Sequence, residues 1–418
     1  MRRQVARDLG DMVRAGSPSP SEPSSSEPSS SKPRSCPPRS CPKELRETEG
    51  TVRKRLLWAA AGIGLVLLLG ACEPNATQST LEPKGPYAQE LKNLFVPVFW
   101  VAVGVFVIVE GAIVWISIRF RHRKGKDRMP AQIHGNTRLE IGWTIAPALI
   151  LAGVMVPTIA TIWDLARKPP ADALNVTVEG FQWWWGFKYT DEDMRTDFGN
   201  GAPIRTADVM VIPAGRVVYL SLEGAGGKIV QKDPERSDYM VIHSFWIPEL
   251  AGKQDVVPGR TNHILMQADK PGMYEGQCAE FCGLEHGRMR VRVRALSAED
   301  WDAWVANQKL PGVTPTDPLA RQGMDLFLGQ LSGGRGSCVA CHAVGGTEAG
   351  SPAAPELTHF ADPTHECFAG CNWETTDRKA LEAWLHDPNG VKLGAKMANY
   401  HLSQEEIDQL VAYLYSLK

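Results

Sequence analysis

The chain has 418 residues, a formal charge of −2 and nine cysteines. That length suits two or three domains, and the lack of a basic excess to pair with phosphate excludes a nucleic-acid binder. The cysteines fall as Cys36 and Cys41, Cys72 alone, and the later pairs Cys278/Cys282, Cys338/Cys341 and Cys367/Cys371. This placement reads as site chemistry spread over several modules, not one disulfide framework.

Residues 1–51 are Pro/Ser-rich without apolar periodicity and cannot bury enough surface to fold. Residues 52–71 follow the pattern of a secretory signal: Arg53-Lys54-Arg55, an apolar run from Leu56 to Leu69, then small residues. The run is short for a membrane span. Its end, Leu69-Gly-Ala-Cys72, resembles the lipobox of bacterial lipoproteins, which makes Cys72 the expected lipidated residue; the alternative is an uncleaved anchor with an incidental cysteine. A signal this far from the first Met is out of place, so the true start is expected at Val52, with residues 1–51 a disordered or spurious extension.

Two longer apolar stretches, 94–118 and 141–163, can each cross a hydrocarbon core of about 30 Å. Pro147 and Pro157 in the second are tolerated in membrane helices. The basic run from Arg119 to Arg128 between them predicts a cytoplasmic turn. A two-helix transmembrane hairpin over 85–168 is therefore expected, with both ends and everything after Asp164 extracytoplasmic. Glu110 falls inside the first span, where a carboxyl needs a partner or a role. Glu140 opens the second, and its ordinary reading is an interfacial carboxylate favoured by the helix dipole.

Across 173–300, short alternating runs such as Leu174-Asn-Val-Thr-Val178 and Met289-Arg-Val-Arg-Val-Arg294 are separated by Gly, Pro and Asp, which predicts a β-sandwich. Its densest chemistry is Cys278-Ala-Glu-Phe-Cys282-Gly-Leu-Glu-His286-Gly-Arg-Met289, expected on a loop between late strands, with His243 arriving from an earlier strand. Soft sulfur with imidazole suits copper or zinc. A structural zinc site has no use for Met289, and a mononuclear blue copper needs only one thiolate, so two coppers sharing two sulfurs is the working reading. A Cys278–Cys282 disulfide is the alternative in an oxidising compartment. In Trp183-Trp184-Trp185 three consecutive strand residues cannot all face a core, so at least one indole is expected to be exposed.

Residues 301–317 are expected to form a Pro-rich, semi-rigid linker. In the segment 318–418, Cys338-Val-Ala-Cys341-His342 is a c-type haem attachment motif, with His342 as proximal ligand. Met397, the sole Met after it, is the expected distal ligand. Helical spacing of apolar residues near Met324, Leu381 and Ile407 predicts a small all-α domain. Cys367 and Cys371 lack a matching ligand pattern and read best as a disulfide. Seven basic against twelve acidic residues favour a basic electron donor.

His-Gly-Asn-Thr-x-Leu-Glu140-x-x-Trp-Thr, Gln-Trp183-x-Trp, His243-Ser-Phe-Trp, Pro258-Gly-Arg260 and Cys278-x-Glu-x-Cys282-x-x-x-His286-x-x-Met289 together resemble subunit II of the cytochrome c oxidases, over residues ~85–296. The resemblance implies a cupredoxin sandwich holding the binuclear copper centre CuA. In it, Cys278 and Cys282 bridge the coppers, His243 and His286 are terminal ligands, and Met289 and the Glu280 carbonyl are weak ones. It further implies that the Glu280 side chain reaches a magnesium ion shared with subunit I. Trp183 matches the point where electrons enter, and Glu140 the mouth of a proton pathway. The added covalent haem c domain resembles the caa-type enzymes. The expected fold is thus a two-helix transmembrane hairpin, an all-β cupredoxin sandwich and an all-α cytochrome c domain. The expected function is electron transfer from a donor through haem c and CuA to haem a in subunit I, supporting O2 reduction and proton pumping at a bacterial inner membrane, with subunit III a further partner. Rival readings are the subunit of a nitric oxide reductase, a membrane-anchored copper assembly protein and a free-standing electron carrier.

Overall fold

The computed structural model describes residues 76–121, 135–224, 241–329, 331 and 334–418, with isolated positions at 55, 58–60, 62–64, 66 and 132. The chain divides into a unit of residues 1–74 and a unit of residues 75–418. In the first, the described residues 58–60 and 62–64 are helical. Cys36, Cys41 and Cys72 lie outside the described residues.

In the second unit, helix α1 runs from Pro86 to Arg119 and helix α2 from Thr137 to Leu165. Pro86 opens α1 at a position where no amide partner is lost. Asn136 caps α2 by accepting from the amides of Arg138 and Leu139. Ile108, Leu151 and Trp163 stand exposed along them. Helices of 34 and 29 residues that show apolar side chains outward are long and apolar enough to cross a membrane.

The next residues build two five-stranded sheets. One has the order β3-β2-β1-β5-β8, from β1 (Leu174–Phe181), β2 (Trp184–Tyr189), β3 (Arg205–Ala207), β5 (Val218–Gly224) and β8 (Thr261–Met266). The other is β4-β10-β9-β6-β7, from β4 (Val209–Pro213), β6 (His243–Trp246), β7 (Gln254–Val256), β9 (Gly272–Cys278) and β10 (Arg290–Leu296). Period-2 alternation sets the register: Val218, Leu220 and Leu222 are buried while Tyr219 and Ser221 face the other side. Val291, Val293 and Ala295 do the same on β10 and send Arg290, Arg292 and Arg294 outward. Trp185, Phe187 and Tyr189 fill the space between the sheets.

Helix α3 (Ala298–Gln308) closes the open end, capped by Ser297, with Trp301 and Trp304 packed near Tyr189. Residues 301–308 of the expected linker are therefore helical and laid on the sandwich. Beyond them Gly312 donates its amide to the Gly345 carbonyl, which ties the remaining connection down.

The last module packs α4 (Pro318–Leu328), α5 (Arg378–His386) and α6 (Gln404–Ser416) around Phe327, Leu381, Leu410 and Leu414. A Ser403/Glu406 capping box starts α6. A short hairpin of β11 (Cys367–Phe368) and β12 (Trp373–Glu374) carries the Cys367–Cys371 disulfide. This hairpin meets β10: Arg292 pairs bidentately with Glu374 at 2.8 and 2.6 Å, Arg294 pairs with Glu366, and the Arg290 amide donates to the Gly370 carbonyl.

Helices α4 and α6 cross at Gly323, where an added Cβ would lie 1.9 Å from the Gln409 carbonyl oxygen. Gly323→Ala should force the helices apart and destabilise the last module by about 1–3 kcal/mol. Thermal unfolding of the purified chain checks this; an unchanged midpoint would show that the crossing tolerates a methyl group.

Candidate metal centre and adjoining cavity

β6 and β9 are neighbours in their sheet, with Phe245 opposite Cys278, although β7 and β8 lie between them in the chain. This pairing brings His243 to the end of β9. Gly180 on β1 leaves room for the imidazole, since a Cβ there would come 2.9 Å from His243 Cδ2. The loop from Cys278 is pinned at its base, where the Cys278 amide donates to the Met289 carbonyl at 2.9 Å, and a 3₁₀ turn at His286–Arg288 folds it back.

Five side chains and one carbonyl converge. Cys278 Sγ lies 3.8 Å from His243 Nδ1, 3.8 Å from Cys282 Sγ and 3.2 Å from the Glu280 carbonyl oxygen. Cys282 Sγ lies 3.6 Å from His286 Nδ1 and 3.8 Å from Met289 Sδ. His243, Cys278 and Cys282 place their ligand atoms within 4.8 Å of one another, and all three are buried. Both cysteines are free thiols, which removes the disulfide alternative for this pair. Their mutual hydrogen bond favours thiolate at Cys278, lowered to about 3 with help from His243, and holds the proton on Cys282, which is raised. The paired sulfurs thus share one proton, which a soft metal would displace. Two thiolates, two imidazoles and a thioether fit copper better than any hard ion.

The second constellation lines a cavity of about 270 Å³ in the last module. Cys338, Cys341, His342 and Met397 border it, with Phe327 and Leu381 among the apolar walls. His342 Nδ1 faces the Pro355 carbonyl at 2.8 Å, so that nitrogen is the donor and Nε2 keeps its lone pair. Burial lowers the His342 pKa, which keeps the ring neutral and able to ligate. Two thiols, a free imidazole nitrogen and a thioether at one apolar cavity fit a covalently attached haem.

Trp183 lies between the two constellations. It is 5 % exposed, its Nε1 donates to the Cys282 carbonyl at 3.0 Å, and it also lines the cavity bordered by Cys338, Cys341, His342 and Met397. Gln182 Nε2 donates to the same carbonyl at 2.8 Å. The expected exposed indole is not found: Trp185 is fully buried, and Trp184 is half-buried and stacked on Phe181 at 4.1 Å. The alternation argument fails because Gln182 and Trp183 form the turn between β1 and β2, outside either strand, and the last module covers that turn.

Glu280 is exposed at the rim of the loop, beside an exposed Phe281. Glu140 sits in the first turn of α2 and accepts from the Asn136 amide at 3.2 Å, well away from the loop in the chain. Two buried charged residues beside Trp183 escaped the sequence reading. Asp208 accepts from the amides of Trp185 and Gly370, and burial raises its pKa to about 6. Lys392 donates to the carbonyls of Trp183 and Ala369, and burial lowers it to about 8. Neither stands in a local pattern that could have marked it.

The family described as cytochrome C oxidase subunit II, periplasmic domain, matches residues 174–296, and the transmembrane domain of that subunit matches 77–161. The cytochrome c family matches 325–418. The chain is 37% identical over 360 residues to cytochrome c oxidase subunit 2 of Alkalihalophilus pseudofirmus, covering 85% of this chain and 95% of that one. It is 35% identical over 384 residues to the same subunit of Bacillus sp. strain PS3, covering 87% and 97%. Among solved structures, the periplasmic domain of subunit II of the Bradyrhizobium japonicum cytochrome oxidase is 27% identical, with a TM-score of 0.27, covering 34% of this chain and 97% of that one.

Replacement of either bridging candidate, Cys278→Ser or Cys282→Ser, should abolish copper uptake by the metal-free chain, while Met289→Leu should retain copper with an altered visible spectrum. Metal analysis after reconstitution checks this. Copper retained in full by either serine variant would contradict the ligand set.

Proposed function

The chain belongs to the cytochrome c oxidase subunit II family, and on that footing we propose that it delivers electrons to the haem-copper subunit I of an aerobic respiratory terminal oxidase. It is a component of an oxidase complex, a membrane protein with a periplasmic domain and a cytochrome c domain, and subunit I is its partner. Copper and haem c are the groups these domains imply; when bound they supply one-electron redox centres of high potential.

The observation that carries the proposal is the Trp183 indole, which meets the Cys282 carbonyl and also lines the cavity of the last module. Cys278 and Cys282 would bridge a copper pair, His243 and His286 would hold its ends, and Met289 and the Glu280 carbonyl would complete it weakly. Cys338 and Cys341 would attach the haem, with His342 and Met397 as axial ligands. The chain's own work is to keep these donors dry and fixed, since a rigid site changes redox state with little rearrangement. Trp183 would link the sets, so that electrons from a donor pass by way of the haem domain to the copper loop, and on to haem a in subunit I.

Further parts of the reading rest on position. The exposed carboxylate of Glu280 is a hard ligand suited to magnesium at the face toward subunit I. Glu140 would stand at the mouth of a proton pathway and Cys72 would carry a lipid. The setting is a bacterial inner membrane, with subunit III as a further partner, the basic turn cytoplasmic and both redox domains outside. Oxygen reduction and proton pumping would lie with subunit I.

Optical and electron paramagnetic resonance spectra of the full chain purified in detergent test the proposal. A mixed-valence copper signal, in which one unpaired electron is shared by two coppers, should accompany a c-type haem band. Zinc bound at the loop, with copper absent, would overturn it.

A further inference from the structure

Outside the ligand sets, a group of buried polar contacts grips Trp183 by its backbone. Lys392 lies on the loop that leads to Met397 and is 2 % exposed. Its Nζ donates to the Trp183 carbonyl at 2.7 Å and to the Ala369 carbonyl at 2.6 Å. Asp208, also 2 % exposed, accepts from the Trp185 amide at 3.1 Å and from the Gly370 amide at 2.7 Å. Gly370 fits there for lack of a side chain: a Cβ would lie 2.6 Å from the Trp183 carbonyl oxygen and 2.8 Å from Lys392 Nζ. Arg288, on the copper loop, reaches the same region through Asn372 and the Val391 carbonyl. The indole itself is held between Gly283 of the copper loop and Gly394 of the Met397 loop, where added Cβ atoms would come within 3.1 Å of its ring.

Packing alone does not call for a lysine at this place. A buried ammonium is costly to desolvate, and a long apolar side chain would fill the same volume without that cost. What an apolar residue could not do is hold two carbonyls, one from each module, at fixed hydrogen-bond distance. The lysine therefore contributes registration between modules.

We propose that Lys392, with Asp208 and Gly370, is a positioning residue for electron transfer within this chain, locking Trp183 between Cys282 and the haem cavity so that the cytochrome domain works from one docked pose. The proposal rests on the copper pair and haem c of the preceding section. Lys392 exchanges no electron or proton in it and acts only through the placement of Trp183.

The test compares Lys392→Met and Lys392→Arg with the unaltered chain in its purified oxidase complex, with Glu382→Gln, on an exposed ion pair of α5, as control. After flash reduction of the haem, arrival of the electron at copper should slow by about tenfold or more in Lys392→Met. The haem potential and the rate of reduction by the donor should stay unchanged, and Lys392→Arg should recover part of the loss. Amide hydrogen exchange should show lost protection at Gly370 and Trp185 in Lys392→Met, with or without bound cofactors. An unchanged internal rate with unchanged protection would overturn the proposal. So would a shift of haem potential in step with the rate, which marks a general structural defect. If Lys392→Met fails to load haem, Gly370→Ala serves as the second variant with the same readings. Absence of the copper-pair signal in the unaltered chain overturns the functional reading itself, before any variant is compared.

Discussion

The Trp183 indole lies close against two surfaces that lack a Cβ, each of which would bring an added one to 3.1 Å from the ring. Gly283 and Gly394 come from loops more than a hundred residues apart, and both adopt positive φ, a backbone region that glycine enters freely. Its one polar atom donates to the Cys282 carbonyl. That bond in turn orients the peptide that carries the Cys282 thiol, a candidate metal ligand. The copper loop, the haem cavity and the contact between modules therefore share one rigid part, and a displacement of any of them is felt by the other two.

The copper loop depends on the sandwich in a different way. Its two sulfurs could be placed by any closed turn, but His243 and Met289 come from the ends of separate strands, and their approach is set by strand pairing. Burial of the sulfurs then does two things together. It keeps competing water from the donors, and it brings the sulfurs close enough for the mutual hydrogen bond that favours thiolate at Cys278 and holds the proton on Cys282. Cys338 and Cys341 are less constrained: neither meets the other across a hydrogen bond, and burial simply raises Cys338 toward the neutral thiol.

Much of the site was legible because its chemistry is local. The spacing of Cys278, Cys282, His286 and Met289, and the Cys338-x-x-Cys341-His342 run, place candidate ligands within one or two turns of chain, and the structure sets the side chains of each run close together. The membrane helices and the main strands were legible from apolar period and length. Asp208, Lys392 and Gly370 were not, because a lone Asp, Lys or Gly acquires meaning from a partner 162 or 209 positions away. The Trp triplet misled for a related reason. Strand alternation does not carry across the turn at Gln182 and Trp183, and the covering module, which decides exposure, begins far downstream.

The bond from the Gly370 amide to Asp208 has a consequence for how the chain is made. Translation delivers the sandwich well before residue 370 leaves the ribosome. In that interval Asp208 has yet to meet the Gly370 amide, and the Trp183 carbonyl has no lysine to meet. Until the last module arrives, the polar groups of this seam have only water to meet. The last hundred residues thus complete hydrogen bonds whose other halves are laid down in the sandwich.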